Sequence, residues 1–388
     1  MPDSSQESVL DQIVSDRQVV ICVGSGGVGK TTTSAALALR AACKGKRAIV
    51  LTVDPARRLA NALGMESMPH HPVEVELGGK VSGRMWALML DTRATFDEVI
   101  RRHAPSESAR DKILSNPFYD KATSMLAGTH EYMAMEQLLM LHESDDYDCI
   151  ILDTPPSAHA VNFLDAPRRL TAFMNQNTTR LFLKATKLMT SPLGIFGMGG
   201  IITRGISIFV GSDFFRDLLA FIESFDGMFD SFDARAQRTQ KLLRSEETGF
   251  VIIHAPEPNT VLEAEKFDAL LGREKMNIDA FLANRVHLPP LFEKSDAWKE
   301  IESALKKSAK ELGASESQNI QKLQALHENL EFLARRDSNA LKRIQIITKK
   351  GGRSVPLLRV PHFNEDLHDI KGLYRFSKNA AEAYSEES

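Results

Sequence analysis

The stretch RQVVICVGSGGVGKTT, residues 17–32, decides the fold. Val19 to Val23 is an unbroken apolar run between Gln18 and Gly24. A strand of that composition has no polar face to offer water, so it belongs in a parallel sheet covered on both sides. The run stops at a glycine-rich turn, and the Ala- and Leu-rich segment from Lys30 to Lys44 predicts a helix. The turn itself, Gly24 to Thr31, fits the phosphate-binding pattern GxxxxGK[ST] without a mismatch. Glycines let the backbone wrap closely around phosphates, and the following helix N-terminus adds positive potential. Lys30 supplies a cation to the β- and γ-phosphates, and Thr31 offers a hydroxyl to Mg²⁺. Gly26, Gly27, Val28, Gly29 and Thr32 complete the expected cradle.

Outward from this turn the same alternation continues. KRAIVLTV (46–53), MWALML (85–90), CIIL (149–152), GFVIIHA (249–255) and DAFLAN (279–284) read as further buried strands. Residues 344–348 and 357–360 are expected to finish the sheet. Helical segments are expected over 120–142, 167–189, 213–244 and 260–271. The charged Ala/Leu/Lys/Glu-rich segment 296–341 reads as a helical hairpin or two successive helices. The class is α/β, a mostly parallel doubly wound sheet flanked by helices, with an inserted helical subdomain. The expected divisions are a flexible N-terminus at 1–16, a first core part at 17–165, the helical insertion at 166–247, and a second core part at 248–384 carrying a hairpin at 296–343.

Composition narrows the function. A net charge of −3 gives no basic field, so nucleic-acid binding is not the default. Three scattered cysteines make neither a disulfide framework nor a CxxC zinc pair, and point to a reducing, cytoplasmic compartment. The polar N-terminus lacks the apolar core of a signal peptide. From Thr190 to Ser212 the one charge is Arg204, a length that permits a membrane span, but seven glycine and proline residues break it. The segment reads as a flexible lid or as an amphiphilic loop in peripheral contact with a membrane.

Two carboxylates stand at strand ends, where ligands sit in open α/β sheets. Asp54 follows the second strand and Asp153 follows Cys149–Leu152. Either alone could cap a helix. Beside a phosphate loop they read as catalytic groups and metal ligands, with Asp153 in the position of a carboxylate acting on Mg²⁺.

GGVGKTT, TVDPA (52–56), DTPPSAH (153–159), FVIIHAPEPNTVLEAEKF (250–267), Asn284-Arg285 and PHFNEDLHDIKGL (361–373) together resemble the arsenite-pump ATPase family, which also contains the ATPase that targets tail-anchored membrane proteins. The resemblance runs from about residue 17 to 380 and implies a deviant-Walker ATPase using ATP and Mg²⁺. It implies that Asp54 polarises the attacking water, that Asp54, Asp153 and Thr31 surround Mg²⁺, and that His159 relays nucleotide state. It further implies that Asn284 reads the adenine edge, with Pro361, His362 and Phe363 packing on the base. Three features depart from the family. Ser25 stands where the class carries a lysine that reaches across a dimer, and both the zinc-clamp CxxC and the clustered arsenite cysteines are absent.

Leu170 to Phe232 is rich in Met and Phe, which suit either an adaptable groove for a hydrophobic protein client or a plain helical core. The expected function is a dimeric ATPase whose nucleotide state switches such a surface. The alternative is a weakly hydrolysing nucleotide-dependent scaffold or one subunit of a heterodimeric ATPase, and the expected assembly is a homodimer or a heterodimer with a lysine-bearing paralogue. A DNA-partition role is disfavoured by the acidic balance.

Overall fold

The run Val19–Gly24 is strand β1, and all six of its residues are buried. Its side chains divide between two separate apolar layers, Val19, Ile21 and Val23 in one, Val20 and Cys22 in the other. That division is the period-two alternation of a strand covered on both faces. The computed structural model describes residues 8–53, 57–79, 81–116, 119, 129–155, 228–289, 300, 303–304, 306–308, 315–363, 365, 367 and 369–382.

Around β1 stand β2 (Arg47–Thr52), β3 (Val73–Glu74), β4 (Arg84–Met89), β5 (Cys149–Asp153), β6 (Thr248–His254), β7 (Ile278–Val286), β8 (Leu357–Pro361) and β9 (Ala381–Glu382). They form one sheet in the order β3-β4-β2-β5-β1-β6-β7-β8-β9. The seven inner strands pair in parallel, and the two-residue edge strands β3 and β9 pair antiparallel. The chain thus winds to one side of β1 and then to the other, which makes the end of β1 the topological switch point. The mostly parallel, doubly wound class expected from sequence is the one observed, while the short edge strands were not foreseen.

One face is covered by α1 (Val9–Asp16), α2 (Lys30–Cys43), α3 (Arg57–Ala62) and, after β8, the helix Ile370–Asn379. Helix α2 carries Ala35, Ala36, Ala38, Ala41 and Ala42 fully buried. These small side chains let it lie close on the sheet. Within the flexible N-terminus expected for 1–16, Val9–Asp16 is a docked helix, and residues 1–7 lie outside the described residues. Leu10, Ile13 and Val14 are buried, and Arg40 of α2 donates to Asp11 at 2.8 Å. A docked apolar stripe plus an ion pair offsets the ordering entropy of such a short helix.

The other face carries α4 (Thr92–His103), α5 (Glu107–Leu114), α6 (Thr129–Glu143), α7 (Phe229–Leu243), α8 (Pro258–Arg273) and α9 (Ser315–Thr348), and Ile370–Asn379 is α10. Helix α7 is the described end of the expected helical insertion. It is fixed to α6 by the buried pair of Arg235 Nε on Glu136 Oε2 at 2.5 Å, with the Tyr132 hydroxyl on the same carboxylate. Burial raises the Glu136 carboxyl above its usual range, against the lowering effect of Arg235. The predicted helix 167–189, the glycine-broken segment and most of the Met/Phe-rich stretch lie outside the described residues, as does most of the first limb of the predicted hairpin. Among the described residues no helix is long and apolar enough to cross a membrane.

The strand expected at 344–348 is instead the last turn of α9. Ile344 is 0% exposed and Ile346 is 73% exposed. A strand would put residues i and i+2 on one face, whereas a helix turns them about 200° apart. Ile344→Ala should therefore cost about 2–4 kcal/mol in urea unfolding. Ile346→Ala should stay within about 0.5 kcal/mol, and equal losses would contradict the helical register.

Candidate nucleotide-binding site

The glycine-rich loop leaves β1 through a gap that admits no side chain. A Cβ on Gly24 would stand 2.1 Å from the Ile253 carbonyl of β6. The loop ends at Gly29, whose φ of +99° caps α2 in the left-handed region that favours glycine. Lys30 is 7% exposed, and its Nζ donates to the Ser25 carbonyl at 2.9 Å, so the lysine arches over its own loop. The Ser25 hydroxyl oxygen is buried and finds no hydrogen-bond partner among the described residues.

Beside this loop the sheet order brings three strand ends together. β5 lies between β1 and β2, with Asp153 opposite Cys22 on one side and Thr52 on the other. The Thr31 hydroxyl, in the first turn of α2, donates to Asp153 Oδ2 at 2.6 Å. Thr52 donates to the same oxygen at 3.0 Å. Thr154 donates to the Cys22 carbonyl at 2.7 Å, tying the exit of β5 to β1. A hydroxyl and a carboxylate this close are two hard oxygen donors at the mouth of the phosphate loop, a set that fits Mg²⁺. Asp54 and His159 lie outside the described residues; Val53, immediately before Asp54, donates its backbone N–H to the Asp153 carbonyl at 3.3 Å.

The far side of the loop meets β7 and β8. Asn284, 6% exposed, donates from Nδ2 to the Val28 carbonyl at 2.8 Å and accepts the Arg285 N–H on Oδ1 at 2.9 Å. Pro361 closes β8, and the His362 N–H donates to the Val286 carbonyl at 2.9 Å. The His362 ring stacks on His287, with centroids 5.1 Å apart and planes 13° apart. His287 is held by buried Asp337 of α9, through both Nδ1 and the backbone N–H at 2.8 Å. Phe363 packs toward Phe376 of α10 under the Arg375 guanidinium. The structure thus gathers Lys30, Thr31, Asp153 and Asn284 around one loop, with Pro361 and His362 at the neighbouring strand ends. The rings of His362 and Phe363 already have protein neighbours.

Thr52, Asp337 and His254 were not singled out from sequence. His254 ends β6 beside the loop and is 0% exposed. Its Nδ1 is 3.1 Å from the Ala255 carbonyl, and among the described residues no other acceptor is in reach and Nε2 has no hydrogen-bond partner, which makes Nδ1 the protonated nitrogen. Cys22 and Cys149 are buried and their thiols pushed up to about 12 by burial, so neither is a thiolate at neutral pH.

A glycine-rich loop at the switch point of a parallel sheet, with its lysine, threonine and strand-end carboxylate in mutual reach, makes this chain a P-loop nucleoside triphosphatase by class. The family model described as an anion-transporting ATPase matches residues 17–330, and the chain belongs to that family of ATPases. Among curated relatives, the ATPase GET3 of Malassezia globosa is 29% identical over 167 residues, 42% of this chain and 47% of that protein. The ATPase ARSA2 of Chlamydomonas reinhardtii is 27% identical over 297 residues, 74% of this chain and 73% of the relative. The ATPase ASNA1 homolog of Trypanosoma cruzi is 24% identical, covering 74% of this chain and 79% of the relative.

The buried imidazole at the loop's flank has a measurable signature. Burial lowers the His254 pKa from 6.5 to about 4. The unfolded chain then binds a proton below 6.5 that the folded one takes up only near 4, so this group's contribution is complete above 6.5 and is lost as pH falls from 6.5 toward 4. The shift corresponds to about 3 kcal/mol. His254→Leu should flatten that part of the stability–pH curve in urea titrations. The Ala255 carbonyl keeps Thr260 Oγ1 at 2.6 Å, so no acceptor is orphaned. An unchanged slope between pH 4 and 6.5 would show that His254 is not the group responsible.

Proposed function

We propose that the chain binds ATP with Mg²⁺ at this loop, hydrolyses it, and uses the cycle to switch a hydrophobic helical surface for a protein client. The observation that carries the reading is the 2.6 Å contact between the Thr31 hydroxyl and Asp153, where a loop-held metal would stand. Lys30 exchanges the Ser25 carbonyl for phosphate oxygens, the loop amides of Gly26 to Thr32 cradle the phosphates, and Thr31 and Asp153 flank the metal site. Bound Mg²⁺ would neutralise charge on the phosphate oxygens. Asp54, next to the Val53–Asp153 contact, orients and polarises the attacking water. His159, five residues beyond Thr154, carries nucleotide state toward the helical insertion. Asn284 reads adenine, with the Pro361–Phe363 turn as the wall of the base site. The Met- and Phe-rich stretch from 170 to 232 supplies the client surface, suited to an apolar segment such as that of a membrane protein.

The assembly is a dimer in the cytoplasm, and Ser25 favours a particular form of it. Two phosphate clusters facing each other repel, and a serine supplies no cation to the partner's site. This chain therefore accepts such a cation from a lysine-bearing paralogue rather than donating one. The test is ATP turnover and mass, with and without Mg·ATP, for the purified chain alone and for Ser25→Lys. The wild type should turn over slowly and gain no ATP-driven dimer, while Ser25→Lys gains one or both. Brisk turnover by the wild type, unchanged in Ser25→Lys, would refute the pairing. Absence of ATP binding in both would refute the site.

A further inference from the structure

Four of the six residues from Gly24 to Gly29 are glycines, so side chains of the loop itself do little to fix its path. Its shape depends on ties from outside. One of these comes from the end of β7: Asn284 Nδ2 on the Val28 carbonyl at 2.8 Å, near the tip of the loop. The orientation of that carboxamide is determined. Oδ1 accepts the Arg285 N–H at 2.9 Å, and a flipped amide would set oxygen against the Val28 carbonyl and NH₂ against an N–H. Arg285 takes a φ of +61°, a strained region for a residue with a side chain, where β7 shifts register against β8 and presents this N–H. Gly29 leaves the space: a Cβ there would come 2.2 Å from Asn284 Nδ2.

We propose that Asn284 is a positioning residue for the phosphate loop, bracing Val28 from β7, so that the group assigned above to the nucleobase also sets the geometry that receives the phosphates. The two roles are compatible. The brace uses one of two N–H groups and one of two lone pairs, and the remaining pair matches N1 and N6 of adenine. The inference rests on the nucleotide site proposed above. It adds that base recognition and loop shape share one side chain.

A base-free ligand separates the roles. Calorimetry of the full-length chain with Mg·tripolyphosphate, and with a non-hydrolysable ATP analogue, is run for wild type, Asn284→Ala and Asn284→Asp. Hydrogen exchange of residues 25–31 is followed without ligand. Loss of one hydrogen bond that holds the loop should weaken tripolyphosphate binding about three- to tenfold in Asn284→Ala. The loop amides should exchange faster while those of residues 278–283 keep wild-type protection. Asn284→Asp keeps the shape and the acceptor for Arg285 but sets an oxygen against the Val28 carbonyl, so it should weaken tripolyphosphate at least as much. If both variants lose only the ATP analogue, with tripolyphosphate binding and loop exchange at wild-type values, Asn284 reads the base and braces nothing. If the wild type binds neither ligand, the nucleotide site itself is wrong; the exchange data still judge the brace separately.

Discussion

The hydrogen bond from Thr31 to Asp153 is the constraint on which the arrangement turns. It joins the first turn of α2 to the end of β5, two elements more than a hundred residues apart in the chain. It forms because β5 inserts between β1 and β2, which places Asp153 level with Cys22 and Thr52. A hydroxyl and a carboxylate brought together at a glycine-rich loop are of little use to stability that a plain cap could not supply. In the proposed function they are a pair that opens to admit a cation.

Everything around this pair limits where the loop can go. Ile253 closes one side of Gly24, Lys30 arches over Ser25, and Asn284 holds Val28 from β7. Behind β7, Asp337 of α9 fixes His287, which stacks on His362. The long helix α9 thereby reaches the end of β8 through one buried carboxylate. In the same apolar layer, the Glu136–Arg235 pair fastens α7 to α6. These are polar contacts within two apolar layers, and burial makes each of them specific about its partner.

The central elements were legible because their composition admits one reading. An apolar run flanked by GxxxxGKT has to be a buried strand entering a phosphate loop, and an aspartate closing CIIL stands at the carboxyl end of a strand. Other features depend on contacts that no local pattern announces. Helix α1 is held by Asp11 on Arg40, 29 residues away, and its eight residues alone carry too weak a signal to predict. The run 344–348 is apolar enough for a strand, and only the burial of Ile344 beside the exposure of Ile346 reveals its helical period. Thr52, His254 and Asp337 acquire meaning only from the strand order. The adenine role proposed for Asn284 rests on resemblance, whereas its contact with Val28 depends on the register of β7 against the loop.

The most direct test of the account is a crystal structure of the chain with Mg²⁺ and a non-hydrolysable ATP analogue. The account predicts Mg²⁺ bound to Thr31 Oγ1 and held, directly or through water, by Asp153, with the hydrogen bond between them broken and Lys30 moved from the Ser25 carbonyl to the phosphates. Triphosphate bound elsewhere, or Thr31 still donating to Asp153 beside a metal held by other residues, would contradict it.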